Sequence, residues 1–343
     1  MKPFRYVRPA GPPEAVAAMN ASPHARYLAG GTNLVDLMKL GVETPDVLID
    51  ISGLAFGGIE EIPGGRLRVG AFVRNSDLAA HPVVRARWPL LSQALLDGAS
   101  GQLRNAATVG GNLLQRTRCL YFQDVSKPCN KRAAGTGCPA REGHHRDLAV
   151  LGASRHCVAT HPGDMAVALA AIGGSVHLLG PAGERHVPVT DFHRLPGDTP
   201  ELDTVLAHGE LITHVTLEPL TPAARSGYRK VRDRASFAFA LASAAAVLDL
   251  RDDGTVREVR LGFGSLAARP WRATAAEEYL LGAVATEENF ARAVEIALAA
   301  ARPLRDNGYK VPLARNLAVR LLADLAESPR PASQRPARPG GAR

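Results

Sequence analysis

The sequence predicts a chain of the α+β class with more than one domain, and three observations predict it. The 343 residues exceed what one hydrophobic core ordinarily fills. Pro219 and Pro222 interrupt the pattern directly after an alternating, strand-like run. Beyond that break strand patterns come first and helical patterns follow, as in an antiparallel sheet covered by helices.

Each element follows from its pattern. Residues 13–20 place Ala15, Val16 and Met19 at helical spacing. Residues 26–29 read as a strand entering Gly30-Gly31-Thr32-Asn33. Leu34, Leu37, Met38 and Leu40 then return at helical spacing, with Thr32 or Asn33 as N-cap. Strand-like runs follow at 47–51 and 66–72, the second entered through the Pro63-Gly64-Gly65 turn. Residues 83–96 are helical in pattern, with Pro89 as an interruption or a boundary between two helices. A second Gly-Gly segment, 107–114, leads into a stretch without period. Helical spacing resumes at 164–172, then come strands at 175–179 and 210–217. In the C-terminal part, 228–231 and 238–250 read as strands. Asp252-Asp253-Gly254 makes a hairpin turn into a strand at 256–263. Residues 273–302 and 313–326 read as helices, and no internal repeat is visible.

Composition narrows the function classes. Hydrophobic residues at 46% and charged residues at 22% suit a soluble globular protein. No uninterrupted apolar stretch of about 18 residues occurs, so no transmembrane helix is expected. The basic N-terminus has no apolar region behind it, so no cleaved signal peptide is expected. Of the net charge of +8, four arginines (Arg330, Arg335, Arg338 and Arg343) belong to an acid-free tail. The remaining +4 is mild for the body, which makes nucleic-acid binding a poor reading. The tail, 328–343, is rich in Pro, Ala and Gly and is expected to be disordered.

All four cysteines, Cys119, Cys129, Cys138 and Cys157, fall within 39 consecutive residues. Dispersed structural thiols do not cluster in this way, and disulfides typically staple small secreted domains. A four-thiolate metal site uses all four with none left over. The segment between them is irregular and rich in Gly, Pro and basic residues. A loop of that length inside a compact domain calls for an ordering element, and a metal cluster supplies one. Arg116, Arg118, Lys127, Lys131 and Arg132 are placed to offset thiolate charge. The spacing C-x9-C-x8-C-x18-C has no short C-x2-C pair, so it does not name the metal. His144, His145, His156 and His161 lie nearby and could replace a ligand in a zinc site, although a solvated loop histidine is the commoner case.

Gly30-Gly31-Thr32-Asn33 lies between a strand and a helix. There glycine permits close approach of backbone to a phosphate, and the helix start presents N–H groups. Gly110-Gly111-Asn112, with Thr108 beside it, offers a second nest of the same type. Two such loops suit a pyrophosphate gripped from both sides, while each alone could serve only a tight turn. Gly262-Phe263-Gly264-Ser265-Leu266-Ala267 matches the dinucleotide fingerprint in letters, but Pro270 arrives where a long helix must begin. It reads as a strand end and a turn. Phosphate-loop, nucleophile-elbow and HExxH motifs are absent from the sequence.

Together these segments resemble the FAD subunit of the xanthine dehydrogenase, or molybdenum hydroxylase, family. Residues 26–39, RYLAGGTNLVDLMK, resemble its first flavin loop and 107–113, ATVGGNL, its second. His161-Pro162-Gly163-Asp164 resembles its Ser/His-Pro-x-Asp turn, and Tyr228-Arg229-Lys230-Val231-Arg232 the strand that opens its C-terminal domain. The resemblance runs over roughly residues 1–325. The cysteine loop is similar to that of the flavin subunit of the bacterial periplasmic aldehyde oxidase group, where it implies a [4Fe–4S] cluster.

The implied fold is a two-lobed FAD-binding domain of the vanillyl-alcohol-oxidase (PCMH) type at 1–221, with the Fe–S loop inserted at 116–157. A small α+β C-terminal domain of the CO dehydrogenase flavoprotein type follows at 222–327. The resemblance implies a heterotrimer with a molybdenum-cofactor large subunit, which oxidises an aldehyde, and a small subunit with two [2Fe–2S] clusters. This chain would pass electrons through FAD to an external acceptor. Export to the periplasm would then depend on a partner's signal, and otherwise the complex is cytoplasmic. By position, the resemblance puts Leu28, Ala29, Gly30, Gly31, Thr32, Asn33, Leu34, Val35 and Asp36 on the FAD pyrophosphate. Thr108, Gly110, Gly111 and Asn112 join them there. Asp164 would anchor a polar part of the flavin and Lys230 would lie near the isoalloxazine. Cys119, Cys129, Cys138 and Cys157 would ligate the cluster. A stand-alone flavin oxidoreductase and a zinc-stabilised binding module are the alternatives.

Overall fold

A computed structural model describes residues 1–329. The basic tail beyond, on which the expectation of disorder falls, lies outside the described residues. Three strands near the N-terminus, β1 (Arg5–Val7), β2 (Ala25–Leu28) and β3 (Val47–Asp50), form a parallel sheet in the order β1-β3-β2. The helix Pro12–Asn20 makes the crossover from β1 to β2 and buries Ala15, Val16 and Met19 against the sheet.

A five-stranded antiparallel sheet follows, built from β4 (Ile59–Ile62), β5 (Arg66–Gly70), β6 (Gly174–Gly180), β7 (Gly183–Pro188) and β8 (Leu211–Leu217). Its order is β4-β5-β8-β6-β7. Between β5 and β6 the chain leaves the sheet for about a hundred residues. That excursion carries the helices from Asn75 to Asp97, the second Gly-Gly segment, the cysteine loop and the helix Asp164–Ile172. Leu67, Val69, Val176 and Val215 of the sheet meet Leu90, Leu91 and Ala94 of the helix Pro89–Asp97 and the wholly buried helix Asp164–Ile172 in the largest core.

The C-terminal part is a four-stranded antiparallel sheet of β9 (Arg225–Val231), β10 (Ala242–Leu250), β11 (Val256–Gly264) and β12 (Trp271–Arg272), in the order β12-β11-β10-β9. Helices Thr274–Leu280, Glu287–Leu298 and Lys310–Glu327 cover it. The stretch read as helical over 273–302 holds two helices, because Gly282 takes φ +79° and the chain turns there. The dinucleotide look-alike is the end of β11, and the chain bends at Ser265, φ +59°. No helix among the described residues is long and apolar enough to cross a membrane.

Candidate cofactor cleft and cysteine site

The cleft opens where β2 ends. Gly30-Gly31-Thr32-Asn33 turn the chain into the helix Leu34–Lys39. Gly31 has φ +71°, a conformation that side chains resist. Gly30 is pressed against residue 106 so closely that a Cβ would overlap the Ala106 carbonyl. This contact seats the first loop on the segment that leads into the second. Between them lies a cleft of about 260 Å3, lined among others by Ala29, Gly30, Gly31, Thr32, Asn33, Leu34, Thr108, Gly110 and Gly111. Leu28, Val35, Asp36 and Asn112 do not line it.

The two loops differ in what they offer. Among the described residues, the N–H groups of Gly30, Gly31, Thr32 and Asn33 donate to no protein acceptor. The Asn33 side chain does not cap its helix as expected. Its Oδ1 accepts the Arg116 N–H at 2.9 Å, and its buried Nδ2 has no partner. Unpaired donors crowded at a helix start are what an anionic diphosphate satisfies.

The second loop departs from the expected nest. Thr108 caps the helix Val109–Leu113, accepting the Gly111 N–H on Oγ1 at 3.2 Å and the Asn112 N–H on its carbonyl at 2.8 Å. The Gly110 N–H goes to the Ala71 carbonyl at 2.9 Å. Its amides are used because the helix starts one residue before the glycines and takes them in.

Asp164 and Lys230 come together, but not in the cleft lining. Asp164 opens the helix Asp164–Ile172 and accepts from Lys230 Nζ at 2.8 Å and from the Tyr228 hydroxyl. Lys230 also donates to the Asp97 carbonyl at 3.1 Å. Burial pushes the Asp164 carboxyl up, and the Lys230 ammonium opposes this. Sequence reasoning did not assign Tyr228 a role; its pairing with Asp164, 64 residues away, leaves no local signal.

All four cysteines line one narrow cavity, with Phe122, Lys131 and His156. None forms a disulfide. Burial pushes the Cys119 thiol up to about 11, and raises those of Cys138 and Cys157, where neighbouring thiols add to the effect. A metal bound there would displace the protons from these thiols. Among the described residues no three His, Cys, Asp or Glu side chains gather tightly enough to hold a single metal ion. His145 is buried between the Ala140 carbonyl and the Asp306 N–H, and so is engaged in the fold.

Of the five basic residues expected to serve the thiolates, Lys131 alone lines the cavity. Arg132 ties the loop together through the carbonyls of Tyr121, Phe122 and Lys127. Arg118 lies over the Phe239 ring. Arg116 bridges Glu43 at 2.7 Å and Asp203 at 2.8 Å. Much of the order expected from a metal comes from the protein itself. Asn130 pairs with Gly137 in both directions, at 2.9 and 2.7 Å, and its Nδ2 reaches the His156 carbonyl at 2.9 Å.

Residues 2–219 match the FAD-binding domain in molybdopterin dehydrogenase. Residues 226–325 match the CO dehydrogenase flavoprotein C-terminal domain. The chain belongs to the family of FAD-binding medium subunits of the molybdenum hydroxylases. It is 48% identical to the aldehyde oxidoreductase FAD-binding subunit PaoB of Escherichia coli, over 94% of this chain and 98% of that one. It is 27% identical to the glyceraldehyde dehydrogenase medium chain of Sulfolobus acidocaldarius, with 81% of each covered. A chain in a solved structure of carbon monoxide dehydrogenase from Hydrogenophaga pseudoflava superimposes with a TM-score of 0.75 at 27% identity, covering 95% of this chain and 98% of that one.

Proposed function

We propose that this chain is the FAD-binding electron-transfer subunit of a molybdenum-dependent aldehyde oxidoreductase. It takes electrons from a [2Fe–2S] small subunit and passes them through FAD to an external acceptor. A molybdenum-cofactor large subunit carries out the substrate oxidation. The proposed domains are 1–221 for FAD, with the insertion 116–157, and 222–327 for the C-terminal domain. The observation that carries the reading is that one wall serves two sites. Leu37 lines the glycine cleft and also packs with Cys119, Phe122 and Cys157.

The free amides of residues 30–33 grip the diphosphate of FAD. The segment 108–112 supplies the facing wall, where glycine allows close approach. FAD, when bound, would take up electrons one at a time from iron–sulfur centres and release them singly or in pairs. The Leu28 and Val35 side chains lie close to Gly31 and back the first loop. Asp164 and Lys230 lie toward the isoalloxazine end, where a cation favours the reduced form. Gly163, which precedes Asp164, packs against Gln115 at the end of the second loop, and this supports that placement. Cys119, Cys129, Cys138 and Cys157 hold a [4Fe–4S] cluster. Four thiols set around a cavity suit a multi-atom cluster better than a single ion, whose ligands converge on a point.

Purified complex is expected to show the absorbance bands of bound flavin, and a folded, flavin-free complex removes the reading. Cys129→Ser is expected to lower iron and sulfide by about one cluster per chain; unchanged iron defeats the cluster assignment. Zinc in place of iron on elemental analysis would favour a structural module. Aldehyde turnover by the isolated chain would favour a stand-alone flavoenzyme.

A further inference from the structure

Lys131 lines the cysteine cavity and its side chain is 4% exposed. It donates to the Pro200 carbonyl at 2.7 Å and to Asp203 Oδ1 at 2.5 Å. The other oxygen of Asp203 accepts from Arg116 Nε at 2.8 Å, and Arg116 lines the glycine cleft. The Arg116 guanidinium also lies over the Phe122 ring, 4.6 Å from its centre, and Phe122 is part of the cysteine cavity. Although burial acts to raise it, Lys131 and Arg116 hold the Asp203 carboxyl below its usual range. Asp203 therefore keeps its charge, and the Lys131 end of the network is withdrawn from the solvent that screens surface charges.

We propose that Lys131 is a positioning residue that sets the reduction potential of the cluster, with Asp203 moderating its charge and Arg116 extending the same network to the FAD cleft. The inference rests on the cluster reading given above. One-electron reduction adds one negative charge to a group already bearing four thiolates. A fixed, desolvated ammonium beside it stabilises the reduced form, and a carboxylate on that ammonium partly cancels the gain. The fixed charge, not its titration, does this work.

The test is a dithionite titration of the full chain in its native assembly, followed by electron paramagnetic resonance, with the flavin absorbance as internal reference. Dithionite supplies the electron. Lys131→Met is expected to lower the ratio of reduced to oxidised cluster at a fixed potential by about tenfold, a shift of about 59 mV to lower potential. Lys131→Arg is expected to restore most of it. Asp203→Asn is expected to move the midpoint the other way, which general loosening of the loop does not do. Should Lys131→Met fail to load a cluster, the sign of the Asp203→Asn shift decides. A loaded Lys131→Met cluster with the wild-type midpoint, or an Asp203→Asn shift to lower potential, overturns the proposal alone. Wild-type assembly whose iron is fully accounted for by the small subunit's two [2Fe–2S] clusters removes the cluster reading and this proposal with it.

Discussion

The two Gly-Gly loops look alike in sequence and act differently in the fold. The loop at 30–33 keeps its amides free and gives up its side-chain space to the Ala106 carbonyl. The loop at 110–112 spends its amides on Thr108 and Ala71 and becomes the first turn of a helix. One is a donor site and the other a close-packed wall. The lesson is that glycine marks a backbone position with a special demand, and only the surrounding hydrogen bonds say whether that demand is for a ligand or for packing.

Substitutions can break this contrast or sharpen it. The largest effect is expected from Gly30→Ala, whose Cβ overlaps a backbone oxygen that cannot swing aside. It should cost more than about 3 kcal/mol and empty the flavin site, as read by urea unfolding and by the flavin-to-protein absorbance ratio. Full flavin occupancy in this variant would show that the first loop is not the grip.

Next comes a pH effect at the second loop. His193 Nε2 pairs with the Leu113 carbonyl at 2.8 Å, at the end of the helix that follows the glycines, and burial lowers the ring's pKa to about 4. The unfolded ring titrates near 6.5 and takes up a proton first, so stability is intact above pH 6.5 and is lost as pH falls toward 4. At pH 5.5 the loss from His193 is about 1.4 kcal/mol. His161, driven well below its usual value by burial, acts in the same direction. His193→Gln should flatten the stability profile between pH 7 and 5.5; an unchanged slope would place the acid sensitivity elsewhere.

Thr108→Ala removes a helix cap and should cost about 1 kcal/mol, with flavin content nearly unchanged, because those amides serve the helix. A flavin loss comparable to that of Gly30→Ala would restore the second loop as an equal donor site. The smallest effect is expected at Gly110→Ala. There the new Cβ stands 3.2 Å from the Ala71 Cβ, so the backbone need give by only a few tenths of an ångström, and the better helix propensity of alanine offsets part of that cost. The net change should stay below about 1 kcal/mol in the same unfolding assay.

Regular elements with a buried face were legible in the sequence. Pro89 does divide two helices, Pro82–Arg87 and Pro89–Asp97, and Gly254, φ +79°, does turn β10 into β11. Strands β4 and β7 were not read, since IEEI and GERHVP are sheet edges with most side chains exposed and carry no apolar alternation. The cysteine set was visible from clustering alone. The Arg116–Asp203–Lys131 chain was not, because its members are separated by 72 and 87 residues and only the fold brings the charges together. Asp164 and Lys230 were chosen by resemblance. Their mutual ion pair is a three-dimensional fact that no spacing encodes.

The cysteine loop is fastened from the far end of the chain. Lys310, fully buried, donates to the carbonyls of Asp147, Leu148 and Ser265, while Asn307 reaches those of Leu148 and Ala149. Lys310 comes 163 residues after Asp147. During synthesis the ribosome therefore releases the thiols long before it releases their fastener. Any metallation machinery that acts in that interval meets an open loop, and docking of the final helix closes the door behind it.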